Sequence, residues 1–411
     1  MLPLTFPEVS AIFMGKNYSS IKIILQEETD MKKTAVSLLL ALALLVSLAG
    51  CGAAPAAAPA ATAEPAAEAE PAVEAETPAP AEEAPSVVTF TDSCGRTVEL
   101  PGEISRIAPS GQVATMILSA MAPELLCCTG SKIEADQAPY LYEGLADLPY
   151  TGQLYGGKST LNLEELLATG AEVIIDLGDY KKSVAEDLDA LQEQTGLPCI
   201  FLEADLAHMA DAFRTMGALL HKEERGEELA ALVEETLTMA AENSAAIPEE
   251  DRVSVLYSSG PDPLGTNAEG SSQAQVLGLV GAVNAVVVED VTSKGGGNII
   301  NMEQLYNFDP DAVIVSDDSA LDQVLTDSAW QELRAVQEGQ VYRVPTSPYC
   351  WLSAPPSMNM LLGVWWLGNT LYPEVYDYDM AEKAAEIYAT LWGYDLTAEE
   401  AAEMLAPAAV H

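Results

Sequence analysis

The chain has 411 residues and a formal charge of −45, from 18 basic and 63 acidic side chains. Beyond residue 87 the balance is 14 basic to 52 acidic, and a body at −38 repels a phosphate backbone, which excludes nucleic acid as a partner. The length points to two or three folding units, and the 49% hydrophobic content to real cores rather than an acidic disordered chain.

Met31-Lys32-Lys33 precedes an apolar run from Ala35 to Leu48, which ends in Leu48-Ala49-Gly50-Cys51. A charged start, an apolar run too short to span a bilayer and small residues before a cysteine describe a cleavable export signal. The last four residues resemble a bacterial lipobox, which implies diacylglycerol on Cys51 and a lipid anchor on the extracytoplasmic side of the cell membrane. Residues 1–30 stand upstream of this complete signal, so translation is expected to begin at Met31, with 31–51 as signal peptide and lipobox. Residues 52–87 are almost wholly Ala, Pro and Glu. They cannot bury enough apolar surface to order themselves, and read as a disordered tether.

Short apolar runs then alternate with helical patterns. Ile107-Ala108, Leu125 to Cys128, Val173 to Ile175 and Cys199 to Phe201 read as buried strands of an N-terminal lobe, 88–207. Val253 to Tyr257, Val313 to Val315 and Val341 to Val344 do so in a C-terminal lobe, 247–411, with its closing helices. The alternation predicts an α/β fold with mainly parallel sheets. Between the lobes, 208–246 reads as one long helix, with apolar positions from Met209 to Leu237 and a stop at Pro248.

With Cys51 lipidated, five cysteines remain: Cys94, Cys127, Cys128, Cys199 and Cys350. There is no C-x-x-C pair and only three histidines, so no zinc site is expected. Cys127, Cys128 and Cys199 lie in apolar runs and read as buried thiols.

A weak repeat links the lobes. Leu161-Asn162-Leu163-Glu164-Glu165-Leu166 leads to Val173, and Ile300-Asn301-Met302-Glu303-Gln304-Leu305 leads to Val313. In each, Asn can cap a helix and Glu suits the positive end of its dipole.

Several segments together resemble the substrate-binding lipoproteins of ATP-binding-cassette (ABC) importers for iron complexes, haem, cobalamin and some oxyanions. They are Phe90 to Pro101, Arg106 to Ser110, the two Asn-x-Glu segments, Gly281 to Asn284, Ala329 to Leu333 with Val341-Tyr342, and Trp351 with Pro355-Pro356-Ser357 through Tyr372-Pro373-Glu374. The resemblance spans roughly 88–380. It implies two lobes joined by one rigid helix, a ligand in the cleft between them, and one exposed Glu per lobe that docks onto arginines of a membrane permease. Glu164 and Glu303 occupy those positions.

Ligands of open α/β sheets lie beyond the carboxyl ends of the strands. The candidate ligand-binding residues on such loops are Ser110, Gln112, Tyr155, Lys158, Tyr180 and Lys181 in the first lobe. In the second they are Ser258, Asn267, Lys294, Tyr349 and Trp351. The aromatic groups can stack on a flat or chelated ligand and the lysines can neutralise an anionic one. Ala354 and Met360 stand where relatives often carry a basic residue, which argues against an oxyanion such as molybdate or tungstate gripped by arginine. The cleft loops offer no His or Tyr–His pair for axial haem ligation.

Gly152 to Ser159 spells a literal G-x-x-x-x-G-K-S, and Val173 to Asp176 imitates a magnesium-binding strand. A phosphate-binding loop needs a buried strand directly before it and a helix starting at its lysine. Pro149 interrupts the first, and the helix is expected near Asn162, so a nucleotide hydrolase is the lesser reading. The expectation is a monomeric, non-enzymatic binding protein without cofactor, resident metal or catalytic residues. It carries an iron chelate of the siderophore type or a corrinoid to an ABC permease.

Overall fold

The computed structural model describes residues 86–155, 160–292 and 297–406. The signal, Cys51 and nearly all of the tether lie outside them, as do Lys158 and Lys294. Among the described residues no helix is long and apolar enough to cross a membrane.

The body opens with a hairpin. β1 (Val87–Thr91) pairs antiparallel with β2 (Thr97–Pro101). The buried Asp92 closes its turn, accepting from the backbone N–H of Cys94 and Arg96 and from the Arg96 guanidinium at 3.0 Å.

In the N-terminal lobe β3 (Ile107–Pro109), β4 (Val173–Gly178) and β5 (Cys199–Glu203) form a parallel sheet in the order 3-4-5. Successive side chains of a strand point to opposite faces. Val173, Ile175 and Leu177 accordingly enter one core with α1 (Gln112–Met121), while Ile174 enters another with Val184, Leu188 and Leu191 of α2 (Val184–Thr195). Because both faces are covered, every residue of β4 is buried, and the sequence reads as an apolar run broken only by Asp176. The run Leu125 to Cys128 does not extend this sheet as a full strand. Only Leu126 bridges to Ile107.

In the C-terminal lobe β6 (Ser254–Ser258), β10 (Ala312–Val315) and β11 (Val341–Arg343) are parallel, in the order 11-10-6. Beyond β6 lie β8 (Val283–Asn284), parallel, and the short antiparallel pieces β7 (Gly265–Thr266) and β9 (Asn298–Ile299). The Tyr372 hydroxyl accepts from Val253 N and donates to Gly281 O. This ties the Gly281 to Asn284 segment to the closing helices.

The segment expected as one helix over 208–246 is two. α3 (Met209–Leu219) ends, the chain turns through His221 at φ 54°, and α4 (Glu223–Ala246) runs for 24 residues. The two helices pack against each other because Gly217 meets Gly226. A Cβ on Gly226 would stand 2.7 Å from Phe213 O and 3.1 Å from the Gly217 Cα. Arg214 of the first helix clamps Glu227 and Glu234 of the second. The apolar period continues through the break, which is why the pattern alone suggests a single rod.

At about 1.5 Å per residue α4 is about 36 Å long. It touches α1 in the first lobe, and α5 (Gln275–Leu279) and α6 (Asn359–Leu371) in the second. Trp365 donates to Thr236 across this contact. One hydrophobic core runs from Ile107 and Val173 through Leu229 and Val233 to Trp351, Leu361 and Tyr388. The hinge is therefore packed, and large lobe rotation would break that core.

Candidate ligand-binding site

A cavity of about 740 Å³ opens where the carboxyl ends of β3 and β4 face the second lobe. The first lobe supplies its polar wall: Ser110, Gln112, Gln153, Tyr155, Asp176, Asp179 and Lys181. The second supplies Gln273 and an apolar edge of Ala354, Pro355 and Pro356.

Asp176 is the chemical centre of the first wall. It interrupts the apolar run of β4, is 2% exposed, and receives the Ser110 hydroxyl on Oδ1. Its Oδ2 has no hydrogen-bond partner among the described residues. Burial pushes this carboxyl up, against the opposing pull of the Lys181 ammonium and the Ser110 hydroxyl. An oxygen left unpaired in so dry a place is costly unless something arrives to use it.

Lys181 donates to Asp179 O at 3.1 Å, and its ammonium lies 4.3 Å from the Tyr155 ring centre. It is the only cation among the described lining residues. Burial, with the Asp176 and Asp187 carboxylates, raises the Tyr155 phenol, which stays protonated and a donor. The loop carrying Tyr155 is pinned by Leu154 N donating to Ser110 O at 2.8 Å.

Of the residues expected from sequence, Ser110, Gln112, Tyr155 and Lys181 meet in this cavity. Tyr180 stands beside it, 52% exposed, with its ring edge toward Phe201. Ser258 and Asn267 are fully buried near the carboxyl end of β6 and do not line the cavity, although Ser258 Oγ and both Asn267 amide atoms lack partners among the described residues. Lys158 and Lys294 lie outside the described residues.

Tyr349 and Trp351 are corrected from cleft to core. Trp351 donates to Ser347 O and packs on Tyr388, and Tyr349 leans on Trp392, in α7 (Met380–Trp392). Their large apolar surfaces are worth more buried beneath the closing helices than at a wet cleft.

The loop Asp179-Tyr180-Lys181 was expected at the cleft, and Asp179 and Lys181 line the cavity. Sequence reasoning missed Asp176 as a cleft residue, although the signal was present: a carboxylate inside an otherwise apolar strand. The phosphate-loop reading drew attention to it for a different chemistry. That reading finds no support in the local fold. Tyr150, before the motif, forms only an isolated bridge with Thr129, and the next helix in the described chain begins at Leu163.

That helix, α8 (Leu163–Ala168), and its counterpart α9 (Met302–Phe308) make the repeat structural. Asn162 and Asn301 each cap their helix, Leu166 and Leu305 are buried, and Glu164 and Glu303 are exposed in the first turn. The following strands, β4 and β10, begin at the same interval after each Glu.

One group of possible metal ligands occurs among the described residues: Glu203, Asp205 and His208, at the carboxyl end of β5 and outside the cavity lining. Asp205 accepts from both the backbone and ring nitrogens of His208, which is ordinary turn chemistry.

The family described as periplasmic binding protein matches residues 129–348. The chain belongs to that family. It is a substrate-binding protein of the helical-backbone kind, and the family's members are solute-binding transport proteins. The Fe(3+)-citrate-binding protein YfmC of Bacillus subtilis is 26% identical over 46% of this chain and 58% of its own length, so that match leaves much of the relative uncovered. The molybdate-binding protein MolA of Haemophilus influenzae is 22% identical over 73% of this chain and 89% of its own. An ABC transporter solute-binding protein from Sulfurospirillum deleyianum superposes with a TM-score of 0.70 at 28% identity, covering 77% of this chain and 98% of that one.

Proposed function

We propose that this binding protein is a lipid-anchored, extracytoplasmic receptor that captures a metal complex and hands it to an ABC permease. Its ligand is an iron chelate of the siderophore or citrate type, or a corrinoid. The observation that carries this reading is the interlobe cavity of about 740 Å³, with a charged wall facing an apolar one. Pockets of about 300–1,000 Å³ enclose drug-sized ligands. A lone tetrahedral oxyanion would leave most of this one untouched, and would meet the Asp176 carboxylate. Oδ2, unpartnered among the described residues, selects a ligand that presents a hydrogen-bond donor or positive charge there, while Lys181 serves an acidic group and Pro355-Pro356 a flat face.

Thermal-shift measurements with ferric siderophores, ferric citrate, haem, corrinoids, molybdate and ATP test this. A ferric chelate or corrinoid at about 100 times its Kd is expected to stabilise the protein by roughly 2.7 kcal/mol. Stabilisation by molybdate alone would favour the oxyanion alternative suggested by the Haemophilus relative, and by haem alone the haem alternative. Stabilisation by ATP that is lost in Lys158→Ala would revive the nucleotide reading.

The anchor on Cys51, the tether over 52–87 and the start at Met31 belong to the same proposal. Cys127, Cys128, Cys199 and Cys350 are buried free thiols, and the half-buried Cys94 is pushed up to about 11 by burial and the Asp92 carboxylate. Native protein is therefore expected to react slowly with a thiol reagent at neutral pH. Unfolded protein from the membrane fraction is expected to titrate five thiols. A sixth would show Cys51 unmodified.

Docking of the permease through Glu164 and Glu303 completes the proposal. Two carboxylates on lobes held by a packed hinge form a fixed ruler for two arginines.

A further inference from the structure

The two lobes repeat more than a cap and a glutamate. One turn after each glutamate stands a large apolar side chain left in water: Leu167 is 45% exposed and Tyr306 42% exposed. Residues three apart are neighbours on a helix surface. Each exposed carboxylate therefore shares its face with an exposed apolar group, once in α8 and once in α9. The adjacent Leu166 and Leu305 are buried and anchor each helix, so core packing does not require Leu167 or Tyr306. Tyr306 is also held in place, its hydroxyl donating to Ala329 O at 2.8 Å. Ile299, 70% exposed, precedes Glu303 in β9 and extends the apolar surface in the second lobe, where the first lobe has Thr160 at the equivalent position.

We propose that the permease-facing surface consists of two equivalent carboxylate–apolar pairs, Glu164 with Leu167 and Glu303 with Tyr306. Each pair is received by one membrane subunit that presents an arginine or lysine beside an apolar hollow. The inference rests on the docking reading above and gives it a second kind of contact. A solvated carboxylate pair contributes little by itself, because water screens it. An apolar neighbour that closes against the partner removes that water, strengthening the ion pair while burying its own surface. A second copy of this chain does not fit the same faces. Both carry exposed glutamate on a body of −38, and two copies would bring acid against acid.

The test is binding of the full chain to its cognate permease–ATPase complex in nanodiscs, at two salt concentrations. Leu167→Ser and Tyr306→Ser are each expected to weaken binding about tenfold. Ligand affinity stays as in the wild type in both, the melting temperature stays in Leu167→Ser and falls slightly in Tyr306→Ser through the lost bond to Ala329 O, and binding becomes more salt-sensitive because the ion pair is now wet. Leu167→Met keeps binding. Glu164→Ala and Glu303→Ala weaken binding and flatten its salt dependence. If the serine variants bind like the wild type while the alanine variants fail, this inference is overturned and the docking reading stands. If the alanine variants also bind normally, or the wild type does not bind, both fall. Sedimentation showing a wild-type dimer that either serine variant dissolves would place a second copy on these faces and overturn the proposal.

Discussion

Glu164→Ala combined with Glu303→Ala is expected to abolish delivery to the permease while ligand binding continues unchanged. Both side chains are exposed in the first turn of Asn-capped helices, and neither lines the cavity. Truncating one partner of an interfacial charge pair that is desolvated on docking costs about 2–5 kcal/mol. Each single variant should therefore lose roughly 30-fold or more in permease affinity, and the double variant 10³-fold or more if the lobes dock independently. The check is ligand-dependent ATPase stimulation of the reconstituted importer, set against ligand affinity measured in solution. Full stimulation by the double variant would show that the glutamates are only helix-terminus residues. Charge reversal at one site is expected to be worse than alanine, since it places like charges face to face.

Asp176→Asn is expected to raise the stability of the ligand-free protein and to lower its affinity for ligand. The carboxyl is nearly fully buried, has one oxygen unpaired among the described residues, and is pushed above its ordinary value mainly by that burial. A group whose folded-state pKa lies above the unfolded one favours the fold most when protonated. That contribution is present below about pH 4 and is lost as pH rises through the folded value. The wild type therefore carries an electrostatic cost at neutral pH that the amide does not. The gain in Asp176→Asn is expected on the order of 1–3 kcal/mol at pH 7, shrinking toward zero on acidification below about pH 4. Paired melting curves of apo protein across pH 3.5–8 would show it as a gap that widens with pH. In the same variant, ligand affinity is expected to drop about 30-fold or more, because the bound ligand's donor or positive charge meets a neutral amide. A pH-independent gap, or unchanged ligand affinity, would assign Asp176 to the scaffold alone.

The cleft and the hinge show why sequence carried some features and not others. Ser110, Gln112 and Lys181 were legible because they follow β3 and β4, whose carboxyl ends face the cavity. Among the described residues Tyr155 follows no strand directly, and it reaches the cavity on a loop pinned by Leu154 N to Ser110 O. Asp176 was not singled out because it belongs to the strand itself, and its exposure to the cavity depends on how the second lobe closes over it. Tyr349 and Trp351 have surfaces suited equally to stacking on a ligand and to filling a core. Only the placement of the closing helices, with Tyr388 and Trp392 over them, decided for the core. The break at Leu220 to Lys222 left the apolar period intact, and its one signal was the pair Gly217 and Gly226. Two glycines in an otherwise helical pattern say little until two helices are seen to cross on them.

By itself the sequence determined the class of the fold, the acidic body and two capped helix–strand units of equal spacing. These are local properties: burial on both faces writes a strand as an apolar run, and a helix N-terminus asks for Asn or its equivalents. Tertiary structure alone decided that a buried carboxylate lies in the wall of the interlobe cavity, and that the aromatic groups near Pro355 are core. It also decided that each exposed glutamate shares its helix face with an apolar side chain left in water. Burial and exposure are set by what packs from elsewhere in the chain, and that partner is not written at the position itself.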